Sequence, residues 1–360
     1  MRDIAIEKFE YLTAMDRQSV EELLSSVAQN PFKIISFSLS RLTGNHFHFT
    51  QTQKYRLVVE FQSGRSKMNH AFFVKEYAKS DVGAVKLVRS AFDSGFLRND
   101  FHMLEIPVFR RFSQNPQGTR FWMWADDYAD SFLGPPKLET AAFIGELHSK
   151  WWGHIHLRGN KYLKFLRNIS HFEPDWGQRS HNNIKVLSGA KIKKEILKVF
   201  TPERCEIVRG IPRLKKRILK KLEKYHITLL HQDFWACNIG NLGKKLVLID
   251  WDNVGLGPAG AELAYFYYLT VQKYPNFDDG AFIKNYRDVV SAKIELNDAD
   301  VLEPYYLAFC LRPAFSLCTH LLGNILNVNR NSLFNKNDLE SQLVASDKIF
   351  LRIEKGLQLL

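Results

Sequence analysis

The residues best equipped for chemistry lie in one short stretch of the chain. His231, Asp233 and Asn238 stand as His-x-Asp-x4-Asn, and Asp250 follows in Ile249-Asp250-Trp251. Apolar runs at residues 227–230 and 246–249 flank the polar segment, and each reads as a short strand. A strand feeding a polar loop, followed by a second strand, gathers Asp233, Asn238 and Asp250 at one end of a hairpin. Phosphoryl transfer needs that grouping. One carboxylate orients or deprotonates the attacking hydroxyl, and hard oxygen ligands, an amide and a carboxylate, hold Mg²⁺ against the phosphates. Loop positions anchored on strands supply the fixed geometry on which positioning catalysis depends.

A second candidate lies far upstream. Phe72-Phe73-Val74-Lys75-Glu76-Tyr77 places a lysine inside an apolar β-run. Lys75 suits the α- and β-phosphates of a nucleotide, and it also suits the solvent face of an ordinary strand.

The elements that must position these residues divide the chain. Residues 1–28 read as an amphipathic helix, with Leu12, Val20, Leu23 and Leu24 at helical spacing. Residues 33–42, 55–61, 70–77, 106–112 and 120–124 are β-rich, and residues 82–92 read as a helix between the third and fourth runs. Ser113-Gln114-Asn115-Pro116-Gln117-Gly118 is a hairpin turn. The resulting order, β-β-β-α-β-β, predicts a small antiparallel sheet carrying one helix. Gly134-Pro135-Pro136 breaks regular structure, and the pattern beyond it is mostly helical. Three segments follow: an N-terminal helical extension over 1–28, a sheet unit over 29–128, and a helical unit over 129–360. The fold class is α+β, with a small β-rich lobe and a larger helical one.

Composition narrows the function classes. The 360 residues are 45% hydrophobic and 24% charged, which suits a globular chain with a sizeable core. Four scattered cysteines form no CxxC pair and read as reduced thiols. The first ten residues lack the apolar core of a signal peptide, and the apolar stretch 305–326 is broken by Arg312, Pro313 and His320. A buried helix-turn-helix fits that stretch better than a membrane span, so the cytoplasm is the expected compartment. A net charge of +12 favours anionic partners. The basic stretch 185–224 surrounds an apolar stripe of Leu214, Ile218 and Leu222, the pattern of a solvated surface helix. No nucleic-acid motif accompanies it, which argues against nucleic acid; peripheral contact with an acidic membrane stays open.

The segment 226–252 resembles the catalytic and metal-binding loops of the aminoglycoside phosphotransferase and choline kinase family, relatives of protein kinases. Ile144-Gly145-Glu146-Leu147-His148-Ser149 resembles that family's L-A-x-L-H-A helix. Gly255 to Ala264 resembles its G-x4-D-L-A segment, with Glu262 in place of the usual aspartate, and Phe282 to Tyr286 resembles its F-x3-Y helix. The resemblance spans roughly residues 30–330 and implies a two-lobed protein-kinase-like fold using ATP and Mg²⁺. It implies that Asp233 is the catalytic aspartate, that Asn238 and Asp250 are metal ligands, and that His231 braces the loop. It implies a nucleotide role for Lys75. It also sets Gly44, in Leu42-Thr43-Gly44-Asn45-His46-Phe47, as a reduced phosphate-covering loop or a plain hairpin turn. Residues 122–128 resemble the interlobe hinge that hydrogen-bonds adenine, with Trp124 and Asp126 as its candidates. Two further departures stand out: the helix at 82–92 lacks the glutamate that usually pairs with the strand lysine, leaving Asp81 nearest, and only one glycine remains in the covering loop.

The expected reaction is transfer of the ATP γ-phosphoryl group to a hydroxyl of a small molecule. No long activation segment separates Asp250 from residues 255–266, which argues against a protein acceptor. The positive charge argues against a polycationic acceptor, although Asp278, Asp279, Glu303 and Glu340 could line a pocket for one. The competing reading is a pseudokinase-type binder that docks an anionic partner through its basic surface. Acceptor identity and oligomeric state are not encoded in any motif.

Overall fold

The computed structural model describes residues 17–42, 53–97, 100–115, 117–128, 137–154, 159–166, 182–185, 187, 194–323, 325–326 and 336–360. The chain divides into two compact units, Met1–Asp100 with Glu105–Phe132, and Phe101–Leu104 with Leu133–Leu360.

In the first unit, helix α1 (Arg17–Ser25) precedes β1 (Phe32–Arg41), β2 (Gln53–Ser63) and β3 (Ser66–Ala78). Helix α2 (Val82–Asp93) follows; the two-residue β4 (Leu104–Glu105) falls where the chain changes unit and is not a strand of this unit's sheet, which β5 (Phe109–Gln114) and β6 (Arg120–Asp126) complete. Five of these strands form an antiparallel sheet in the order β1-β2-β3-β6-β5. The strand and helix order expected from the sequence is present. Alternate residues of β2, Tyr55, Leu57, Val59 and Phe61, are buried because successive side chains on a strand point to opposite faces. Val20, Leu23 and Leu24 of α1 pack on them, so the described part of the N-terminal helix belongs to this core. The expected hairpin is built by Asn115: its Oδ1 accepts the Thr119 and Arg120 amides at 2.8 and 3.0 Å. Gly118 at φ +62° supplies the left-handed residue the turn requires.

The second unit is mainly helical. Helix α3 (Thr140–Trp151) leads to α4 (Lys194–Val199) and the 21-residue α5 (Pro202–Leu222). Four short strands follow: β7 (Thr228–Leu230), β8 (Ile239–Asn241), β9 (Leu246–Leu248) and β10 (Gly255–Gly257). Helices α6 (Ala259–Lys273), α7 (Asp279–Ser291), α8 (Ala299–Phe309), α9 (Arg312–Ser316) and α10 (Lys336–Gln358) complete it. Helix α6 is apolar almost all round and buried, so it needs partners on every side. Gly260 lets α8 approach it: a Cβ there would lie 2.2 Å from the Val301 carbonyl oxygen. On α5, Cys205, Val208, Ile211, Ile218 and Leu222 face inward while most of the lysines and arginines face out. The apolar stretch from Tyr305 runs through the end of α8, α9 and the turn Leu317–Leu321, and its Tyr305, Leu307, Phe309, Phe315, Leu317 and Leu321 are buried. No helix among the described residues is long and apolar enough to cross a membrane.

Candidate active site

Strand β7 delivers the chain to His231, and β10 pairs antiparallel beside it, Gly255 opposite Leu230 and Gly257 opposite Thr228. Lys164 and Leu166 bond the other edge of β10 through Leu256, at 3.0 and 2.7 Å. Gly255 admits that neighbour, since a Cβ would stand 2.1 Å from the Gln232 side-chain nitrogen and 2.7 Å from the Lys164 carbonyl. Strands β8 and β9 form a hairpin, Ile239 opposite Leu248. Its base carries Asn238 at one end and Asp250 at the other: the Ile249 amide donates to the Asn238 carbonyl at 3.0 Å. The two flanking strands read from the sequence are present, but they do not pair with each other as a hairpin: β7 pairs β10, and the hairpin is the β8–β9 pair between Asn238 and Asp250.

The loop itself turns sharply. Gln232 sits at φ +59° and Asp250 at φ +66°, ψ +57°, left-handed conformations uncommon for residues with a Cβ. Such strain persists only where surrounding contacts impose it. For Gln232 the contacts come from Glu262, in the first turn of α6. The Glu262 carboxylate is 2% exposed and accepts the His231 amide at 2.9 Å and the Gln232 amide at 2.5 Å. His148 of α3 is 3.1 Å from the same carboxylate through Nε2 and 3.1 Å from the Tyr286 hydroxyl through Nδ1. The segments that resembled a known family at residues 144–149, 255–264 and 282–286 thus meet in one buried network behind the loop. Sequence reasoning recorded Glu262 as a departure and missed its role; a carboxylate four residues after a G-x-G-P turn was the available signal.

His231 is wholly buried and fixed at both nitrogens. Its Nε2 lies 2.8 Å from the Ile249 carbonyl, and its Nδ1 accepts the Asp233 amide at 3.2 Å. A carbonyl only accepts and an amide only donates, so this geometry requires the proton on Nε2. Trp251, 1% exposed, packs edge-on against the imidazole at 4.6 Å and donates to the Leu248 carbonyl at 2.7 Å. His231 therefore ties the Asp233 loop to the strand that ends at Asp250.

Asp233 is half-buried and meets three side chains. Asn238 Nδ2 donates to its carboxylate at 3.0 Å and to its backbone carbonyl at 2.9 Å. Arg312, at the start of α9, brings Nη2 to 3.9 Å from Asp233 Oδ1. Tyr265 faces it from α6, and burial pushes that phenol well above its ordinary range. Desolvation raises the Asp233 carboxyl above the usual carboxylate range; Arg312 opposes the shift and the charge of Asp250 adds to it. With Nδ2 committed to Asp233, the amide oxygen of Asn238 is the atom left to serve as a ligand, and its backbone is tied to Ile249, next to Asp250. An amide oxygen and a carboxylate are hard ligands, and two protein oxygens suit a divalent cation that takes its other ligands from phosphates and water. The donor set fits Mg²⁺. Asp252 lies in the turn Trp251–Asn253 just beyond.

The remaining predicted residues lie in the first unit. Lys75 sits on β3 opposite Lys54 of β2 and Met123 of β6 and is 2% exposed, which rules out the solvent-face reading. Its Nζ lies 5.3 Å from the Tyr77 ring centroid on the same face. Asp81 caps α2 without a side-chain capping bond. Trp124 is 5% exposed within the core, and its Nε1 donates to Ser113 Oγ at 3.2 Å. Asp126 accepts a bidentate pair from Arg110 at 2.9 and 2.8 Å, and its amide donates to the Val108 carbonyl at 3.2 Å. The side chains of Trp124 and Asp126 are thus engaged in the sheet. Gly44 lies outside the described residues.

Comparison with solved structures decides the fold. A microcompartment-associated aminopropanol kinase matches 95% of this chain over 98% of its own length, with 13% identity and a TM-score of 0.51. An aminoglycoside phosphotransferase from Alicyclobacillus acidocaldarius matches 89% over 93%, with 10% identity and a TM-score of 0.51. The chain has the aminoglycoside phosphotransferase fold. That fold is protein-kinase-like, as expected from the sequence, and both units take part in the match. No family model matches the sequence, and no curated protein matches it.

Proposed function

We propose that this chain is an ATP-dependent phosphotransferase that moves the γ-phosphoryl group to a hydroxyl of a small molecule. One observation carries the reading: a half-buried carboxylate, Asp233, is hydrogen-bonded at 3.0 Å by Asn238, whose backbone is bridged to the strand end bearing Asp250. This supports reading Asp233 as a base candidate tied to the base of the β8–β9 hairpin, whose two ends carry the candidate oxygen ligands Asn238 and Asp250.

In this reading the acceptor hydroxyl donates to Asp233. Its oxygen attacks the γ-phosphorus, the bond from that phosphorus to the β–γ bridging oxygen breaks, and ADP leaves. The hydroxyl proton passes to Asp233, whose raised affinity for protons suits that task. Asn238 and Asp250 are the residues that would hold Mg²⁺, which when bound neutralises charge on the β- and γ-phosphates. His231 and Glu262 act by position, keeping Asp233 and Asp250 in register. Lys75 is the first unit's candidate for the α- and β-phosphates, and the backbone near Trp124 and Asp126 is the candidate for adenine. The chain passes from Asp250 through one turn and β10 into α6 at Ala259, with no extended segment to dock a protein acceptor.

The test is transfer of label from γ-labelled ATP, with Mg²⁺, into a broad pool of hydroxyl compounds. Asp233→Asn should fold normally and lose about 10²–10⁴-fold in turnover. Turnover unchanged in that variant would remove Asp233 from the chemistry.

A further inference from the structure

We infer that Arg312 recognises a small oxyanion on the phosphate acceptor, so that the substrate is a hydroxy acid or hydroxyalkyl phosphate rather than an amine. The inference rests on the proposed reading of Asp233 as the group that meets the acceptor hydroxyl. Arg312 and Asp233 emerge together, their side chains 20% and 23% exposed, with Nη2 and Oδ1 3.9 Å apart. The guanidinium lies 3.7 Å from the centroid of the Tyr265 ring, and Nη1 donates to the Gln232 carbonyl at 3.4 Å. Stacked on a buried ring and tied to the loop, the fork is held in one orientation. A planar guanidinium in that state suits carboxylate or phosphate oxygens. Arg312 itself lines a small, half-open, mainly apolar cavity together with Leu166, Leu230, Gln232, Tyr265 and Pro313. An acceptor reaching Asp233 meets the guanidinium where the two side chains emerge together.

Spacing refines the class. With charge-assisted contacts of about 2.7–2.9 Å, a 3.9 Å separation suits a hydroxyl one or two carbons from the anionic group. That is an α- or β-hydroxy acid, or a vicinal hydroxyalkyl phosphate. Among the described residues, the other acids offer a cationic acceptor little beside Arg312. The aromatic face nearest Asp233 already carries the Arg312 cation. The buried Glu262 is committed to two backbone amides and His148. The acids nominated from the sequence for a cationic pocket serve elsewhere. Asp278 caps α7, Asp279 holds Arg352 and Tyr305, Glu303 accepts from Tyr225, and Glu340 is exposed on α10.

The experiment is label transfer from γ-labelled Mg-ATP into matched probes: glycerate, 3-hydroxybutyrate and glycerol phosphate, the amides of the two acids, and aminopropanol and ethanolamine. The wild type should label at least one anionic probe and prefer it to its neutral or cationic counterparts by about 10–100-fold, the worth of one charge-assisted hydrogen bond. The acid and phosphate arms tell which oxyanion is read. Arg312→Gln should erase the preference through kcat/KM, and Arg312→Lys should restore part of it. Equal transfer to acid and amide, preference for the amines, or a preference that survives Arg312→Gln would overturn the inference. Asp233-dependent ATP turnover with no transfer to any anionic probe would overturn it too, while leaving the proposed function standing. Absence of any Asp233-dependent turnover would instead overturn that function, and this inference with it.

Discussion

Two buried glutamates show how differently the two units use charge. Glu76, on β3 of the sheet, is met by side chains alone: Arg120 and Trp122 of the neighbouring β6 and Tyr55 of β2. Glu262, on α6, is met mainly by backbone, the amides of His231 and Gln232, with His148 behind. The sheet holds its own geometry through its ladder, so Glu76 only completes a cross-strand cluster. The loop at Asp233 has no ladder, and its left-handed residue at Gln232 depends on a carboxylate reaching in from a helix thirty residues away. Glu146 repeats the device, accepting the amides of His102, Met103 and Leu104 at 2.8–3.2 Å. Irregular backbone near the chemistry is held by acids from the helices; regular backbone needs none.

Substitutions can break or sharpen that contrast. The largest effect is expected for Glu262→Ala, which leaves two buried amides and His148 without their acceptor. The loss should be about 3–5 kcal/mol in urea unfolding, and a loss under about 1 kcal/mol would mean the loop holds itself. Glu76→Gln keeps the shape and much of the hydrogen bonding of its cluster, and Arg120 remains partly exposed. It should cost about 1–2 kcal/mol by the same measurement. A cost matching that of Glu262→Ala would erase the distinction between the two units. The smallest effect, and of opposite sign, is expected for Asp250→Gly. Relief of the left-handed strain, less the entropy glycine adds to the unfolded chain, should raise stability by about 0.5 kcal/mol. Mg²⁺-dependent nucleotide binding, followed by calorimetry, should meanwhile disappear. Stability gained with binding retained would show that Asp250 is not a ligand.

Much of this was legible in the sequence because it is local. The alternation of Tyr55, Leu57, Val59 and Phe61 specifies a strand with one face in the core, and the spacing of His231, Asp233 and Asn238 between two apolar runs specifies a loop between strands. Lys75 was ambiguous: an apolar run with one lysine is compatible with burial or exposure, and only the neighbouring β2 and β6 settle it. Trp124 read as part of a hinge from its position, yet its ring is core and its indole bonds Ser113, a contact between strands that pairing register alone creates. Arg312 read as an interruption in an apolar stretch. Its meaning comes from Asp233, seventy-nine residues earlier and in contact only after α6 and α9 have packed.

The sequence by itself determined the strand and helix order, the kinase-like fold class and which residues are candidates for phosphoryl chemistry, because short-range periodicity and side-chain chemistry carry that information. Tertiary structure alone decided which carboxylate does which work. Asp233, Glu262, Glu76 and Asp126 are chemically almost the same group. What separates them is the company burial imposes: backbone amides for Glu262, paired cations for Glu76 and Asp126, and for Asp233 a partly open setting in which desolvation, Asp250 and Arg312 tune a single proton.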